Sequence, residues 1–130
     1  MPGPRNSQDL PNETPPQVRR FTEPCLLLLL HQRPTHGYDL TEALANFGMA
    51  EIDRSIVYRM LREMEDAGLI ASHWDMDASP GPARRVYHLT AEGDTSLAEW
   101  VRQLGETDRI LHHFLDRYHQ HMQEGKGEFH

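Results

Sequence analysis

The chain has 130 residues, 13 of them Lys or Arg and 20 Asp or Glu, for a formal net charge of −7 with histidine neutral. That length admits one compact domain with one or two appended elements, and the acidic balance argues against indiscriminate polyanion binding, which strengthens with each phosphate neutralised. Cys25 is the only cysteine, which excludes an intrachain disulfide framework and a cysteine-based zinc ribbon.

Any basic surface must therefore be local. It is built from arginine, Lys126 being the only lysine, and arginine makes forked contacts to phosphate or guanine that lysine cannot. The longest apolar run, Cys25 to Leu30, is far too short to span a bilayer, and the amino terminus lacks the order of segments in a signal peptide. The expectation is a cytoplasmic protein without membrane contact.

Residues 1–20 are rich in proline and polar groups and hold too few apolar ones to offset the entropy of ordering them, so they read as a flexible arm. In FTEPCLLLLLHQRP, Thr22 can cap a helix with Glu23 and Pro24 in its first turn, and Pro34 ends it. A second helix follows in HGYDLTEALANFG, with Tyr38, Leu44 and Phe47 available for the core and Gly48 as a stop.

Asp53 opens a third helix, closed by Gly68. At about 100° per residue its apolar residues Ile56, Val57, Met60, Leu61 and Met64 share one face, while Arg54, Ser55, Tyr58, Arg59 and Arg62 cluster on nearly the opposite one. One face packs and the other presents hydrogen-bond donors. Two β-prone segments, LIASHW and RRVYHL, flank the loop DMDASPGPA and outline a hairpin.

Thr90 then caps a long final helix with Glu92 and Asp94 near its positive end. Leu97, Leu104, Leu111 and Tyr118 recur every seven residues, and Trp100, Val101, Phe114, Leu115 and Met122 widen the stripe. A domain this small cannot cover such a stripe, which reads as a subunit interface. Gly105 and Thr107 interrupt it and suggest a bend or a break there.

Three blocks in this order resemble the PadR-like regulators: HGYDL at the second helix, SIVYRMLREMEDAGLI through the third helix into the first strand, and GPARRVYHLTAEG from the hairpin into the last helix. The resemblance covers roughly residues 23 to 122 without an internal gap. The fuller string NFG, YRMLREME, SHWD and GPARRVYHLTAEG, followed by Trp100, is similar to a subgroup described as polyhydroxybutyrate-responsive repressors.

The resemblance implies a mainly α fold with a small β-hairpin wing: a winged helix-turn-helix domain over residues 21–90, a C-terminal dimerisation helix over 91–124, and flexible ends at 1–20 and 125–130. It implies a homodimer that sets one recognition helix from each subunit into successive major grooves of a double-stranded operator. Ser55, Tyr58, Arg59 and Arg62, with Arg54 beside them, occupy the DNA-facing positions, and Arg84 and Arg85 occupy the wing. Those two arginines alternate sides on a strand, so one points to DNA and the other pairs within the chain. An effector, a small molecule or a polymer, would act by shifting the angle between the two heads.

Other functions have less support. His112, Asp116 and His119 share a helix face at a spacing that can chelate zinc or nickel, which outlines a metal-responsive regulator, yet no cysteine or further acid stands near them and no metal is assigned. No cofactor is implied. Cys25 reads as a small buried residue. No phosphate loop, nucleophile elbow or zinc-protease pattern appears, so no enzyme is expected. A winged helix that serves only as a protein-interaction module is the alternative that the acidic charge keeps open.

Overall fold

The computed structural model describes residues 16–49, 52–76, 81 and 83–126. The helices are α1 (Pro16–Gln32), α2 (Gly37–Ala45), α3 (Arg54–Asp66) and α4 (Ala91–His121), and the strands are β1 (Thr35–His36), β2 (Ile70–Asp75) and β3 (Arg84–Leu89). A π-type turn, Met122–Lys126, follows α4. Helix thus dominates, with one small antiparallel sheet in the order β1-β3-β2.

The first compact unit ends at Leu97. Its core draws Leu26, Leu27 and Leu30 from α1, Leu40 and Leu44 from α2, Val57, Leu61 and Met64 from α3, Ile70 from β2 and Tyr87 from β3. Each fully buried leucine contributes roughly 1.5–3 kcal/mol relative to exposure, and within the leucine run of α1 this applies to Leu26, Leu27 and Leu30, Leu28 being exposed.

The expected start of the first helix needs correction. Thr22 is not a cap but lies inside α1, fully buried, with its hydroxyl donating to Met49 Sδ at 3.8 Å. Pro16 stands at the first helical position, where a missing N–H costs nothing, and Pro24 is tolerated inside although it cannot donate to the carbonyl of exposed Arg20. Residues 16–20 of the expected arm are therefore helical, and the rest of it lies outside the described residues.

Tyr38 and Phe47, expected in the core, are 50% and 43% exposed. In α2 the buried positions are Gly37, Leu40 and Leu44, spaced three and four residues apart, so Tyr38 falls on another face. Gly48 ends the segment with φ +88°.

Helix α3 forms where the pattern requires. Asp53 Oδ1 accepts the Ser55 N–H at 2.9 Å, and Gly68, at φ +84°, takes a left-handed conformation that suits glycine after the last turn. Ile56, Val57, Leu61 and Met64 are buried and Met60 is half-buried. The hairpin follows with Trp74 opposite Arg85 and Ser72 opposite Tyr87. Of its expected loop, residues 77–80 and 82 lie outside the described residues.

Thr90 ties wing to α4. Its hydroxyl donates to Gly68 O at 2.6 Å and accepts the Gly93 N–H at 3.0 Å, while its own N–H donates to Leu69 O at 3.1 Å.

The second unit, from Ala98 onward, is formed by α4 and the turn after it. Helix α4 runs its 31 residues without the expected break at Gly105. One helical glycine costs only about 1 kcal/mol, and the pairs Glu99–Arg102 and Glu106–Arg109 support the turns on either side. Helical geometry ends before Glu124 and Gly125, at the edge of the expected tail, and residues 127–130 lie outside the described residues.

Candidate nucleic-acid interface

Helix α3 turns its polar face to solvent as its periodicity demands. Arg54, Ser55, Arg59 and Arg62 are exposed and Tyr58 is half-buried. The first turn is pre-set: Asp53 Oδ1 holds the Ser55 hydroxyl at 3.0 Å as well as its N–H. The Arg54 guanidinium lies over the Tyr38 ring, 4.8 Å from its centre, and 3.8 Å from the Glu42 carboxylate. Arg59 and Arg62 make no hydrogen bond or ion pair among the described residues.

The two wing arginines differ. Arg85 Nε donates to Ser72 Oγ at 2.9 Å, Ser72 donates onward to Glu65 Oε2 at 2.8 Å, and the guanidinium of Arg85 lies 5.1 Å from the centre of the Trp74 ring. Arg85 is thus tied through Ser72 to an acid of α3. Arg84 is exposed and makes no hydrogen bond or ion pair among the described residues.

A surface cavity of about 540 Å³ joins these elements. His36, Gly37 and Tyr38 line it from β1 and the start of α2, Tyr58 from α3, and Arg84, Arg85 and Tyr87 from β3. Burial pushes the Tyr87 phenol above its ordinary pKa, with Arg85 opposing that rise. His36 sits between two carboxylates, Nδ1 at 3.7 Å from Asp39 and Nε2 at 3.6 Å from Asp75.

Strand β1, the cavity and the part of Tyr38 and Glu42 in holding Arg54 escape sequence reasoning. Two residues are too few for an alternating pattern, and nothing local in HGYDL tells that its glycine lets the Tyr58 ring pass.

The stripe of α4 divides. Leu97 is buried within its own chain, Trp100 and Leu104 are half-buried, and Val101, Leu111, Phe114, Leu115 and Tyr118 are 48–63% exposed. Single exposed apolar residues are ordinary, but these recur along one face of the helix on both sides of the interruption at Gly105 and Thr107. His112, Asp116 and His119 are exposed, and among the described residues no three His, Cys, Asp or Glu side chains are grouped to hold a metal ion. Burial raises the pKa of the Cys25 thiol, which lowers its thiolate fraction and reactivity. Among the described residues no helix is long and apolar enough to cross a membrane.

A helix pair leading into an arginine-bearing third helix, followed by a hairpin with two arginines at its loop end, defines a winged helix-turn-helix protein of transcription regulation. The pattern of the PadR-like family of transcriptional regulators matches residues 26–99, more than half of the chain. The chain belongs to that family, whose members regulate transcription through DNA binding. A crystal structure of a PadR family transcriptional regulator from Eggerthella lenta is 32% identical, with 76% of this chain and 86% of that one covered and a TM-score of 0.61. One of a PadR-like transcriptional regulator from Bacillus cereus is 26% identical, covering 76% and 95%, with a TM-score of 0.70. An uncharacterized protein of Lysinibacillus sphaericus is 23% identical over 101 residues, 76% of this chain and 92% of its own length.

Proposed function

We propose that this protein is a homodimeric repressor that reads a pseudo-palindromic operator with α3 and steadies itself with the wing. The observation that carries the reading is that Arg59, Arg62 and Arg84 are exposed and unpaired among the described residues, in a chain whose net charge is acidic. Unpaired arginines on the exposed face of a recognition helix are available for forked bonds to guanine or phosphate. Arg54 and Ser55, held by neighbours, are set for backbone contact, and Arg84 rather than Arg85 is the wing's DNA ligand.

The exposed stripe of α4 supports the homodimer, since a second copy offers a matching apolar face. Two linked heads would meet half-sites about 34–36 Å apart, one helical turn of DNA. An effector that favours one arrangement of the dimer helices would change that spacing and with it the affinity. The narrower reading, a repressor responsive to a storage polymer, gains support if a genome-wide footprint marks genes for storage-granule proteins.

Electrophoretic mobility shift against genomic fragments at graded salt tests the reading. A salt-sensitive, sequence-preferring complex is expected, and Arg59→Ala or Arg62→Ala should each cost about 1–3 kcal/mol where the side chain meets a base edge. Absence of any such complex would favour the protein-interaction module.

A further inference from the structure

We propose that the cavity between α2, α3 and β3 is the seat of one backbone phosphodiester of the bound DNA, with the hydroxyls of Tyr38 and Tyr58 and the guanidinium of Arg84 as its donors. The proposal rests on the DNA-binding reading above and assigns two roles within it: a DNA ligand at Tyr38, outside the recognition helix, and a single phosphate shared by three elements.

The lining is the first argument. In a chain with seven more acidic than basic residues, the described side chains that line this cavity include two guanidinia and three phenols and no carboxylate, Asp39 and Asp75 standing beside His36 rather than in the lining. One guanidinium, that of Arg85, is held by its bond to Ser72, which leaves Arg84, unpaired among the described residues, as the charge free to move onto an anion. Phenol hydroxyls and arginine form strong charge-assisted bonds to phosphate oxygen, and such contacts set register without reading sequence. Among the described residues no Asn or Gln stands in the lining to read an adenine edge.

The second argument is that both rings are already anchored. Tyr38 carries the Arg54 guanidinium over its face at 4.8 Å, and Tyr58 packs so closely on Gly37 that a methyl group there would lie 2.6 Å from its Cε1. Each ring is held by contacts that do not involve its hydroxyl's bonding capacity. The hydroxyls therefore meet an incoming phosphate with little further ordering, the condition under which a polar contact adds most affinity. His36 adds a further polar group to the wall, its buried Nε2 making no hydrogen bond among the described residues and lying 3.6 Å from the Asp75 carboxylate.

Anchoring by the ring makes the test clean, because Tyr38→Phe and Tyr58→Phe keep the packing and remove only a hydroxyl. The probe is a labelled duplex carrying the sequence that the wild-type protein selects from a random pool, titrated by fluorescence anisotropy. Each Phe variant should weaken binding roughly three- to tenfold, equally on specific and mixed-sequence DNA and with the salt slope unchanged. Arg84→Ala should lower that slope by about 1. Duplexes in which one phosphate at a time is replaced by a neutral methylphosphonate then locate the seat: among the positions that weaken wild-type binding, one per half-site should show a penalty that shrinks in both Phe variants and in Arg84→Ala, since groups sharing one partner are not additive. If Tyr38→Phe binds like wild type, or if no position couples to all three side chains, the seat is overturned, while loss of affinity in Arg59→Ala would still uphold DNA reading by α3. If the wild-type protein selects no sequence and forms no salt-sensitive complex, both readings fall together.

Discussion

Gly37 and Tyr58 meet with no space between them: a Cβ on Gly37 would stand 2.6 Å from Tyr58 Cε1, so the start of α2 and the middle of α3 are locked against each other through one ring. That contact joins the support helix to the helix that carries Arg59 and Arg62. Gly37→Ala should therefore cost about 1–3 kcal/mol, the usual range for overpacking. The cost should largely vanish in a Tyr58→Ala background. Thermal unfolding of the two single variants and the double variant checks this, and additive losses would place the strain elsewhere.

Gly93 makes the harder version of the same contact. A methyl group there would run into the carbonyl oxygen of Leu69, which the Thr90 N–H holds at 3.1 Å where the wing passes into α4. Backbone cannot step aside as a ring can, so Gly93→Ala should destabilise more than Gly37→Ala. Melting temperatures of the two variants, measured side by side, decide the order.

Much of this arrangement is legible in the residues, and what is not has a common cause. Asp53, Gly68 and Thr90 declare their helix ends because caps act within three or four residues of chain. The α3 pattern separates Val57, Leu61 and Met64 from Arg59 and Arg62 because burial there has helical period. Thr22 misleads as a cap because its hydroxyl answers Met49, 27 positions away. Gly37 and Gly93 carry no local signal, because each is defined by a neighbour that only the fold supplies, Tyr58 or the Leu69 carbonyl. Tyr38 looks like a core residue by type, and its exposure follows from which α2 face meets α1. The wing arginines carry the same code in sequence, and only pairing with Ser72 distinguishes Arg85 from Arg84.

Leu111, 52% exposed on α4, tests the homodimer. Leu111→Glu should split the dimer, because a carboxylate buried against an apolar partner costs several kcal/mol. Operator binding should fall with it, since a single head loses the effective concentration that a linked pair provides. Sedimentation and anisotropy on the same samples check both effects. A variant that stayed dimeric with full affinity would remove α4 from the interface.

The central claim is that two copies of α3 read a two-fold-related DNA sequence, and selection of binding sites from a random duplex pool by the purified full-length protein tests it most directly. The account predicts enrichment of one motif with two inverted half-sites centred about one helical turn apart, with the preference relaxed at a symmetric pair of positions when Arg59→Ala replaces the wild type. A pool that stays unenriched, or a motif unchanged by both Arg59→Ala and Arg62→Ala, would contradict it.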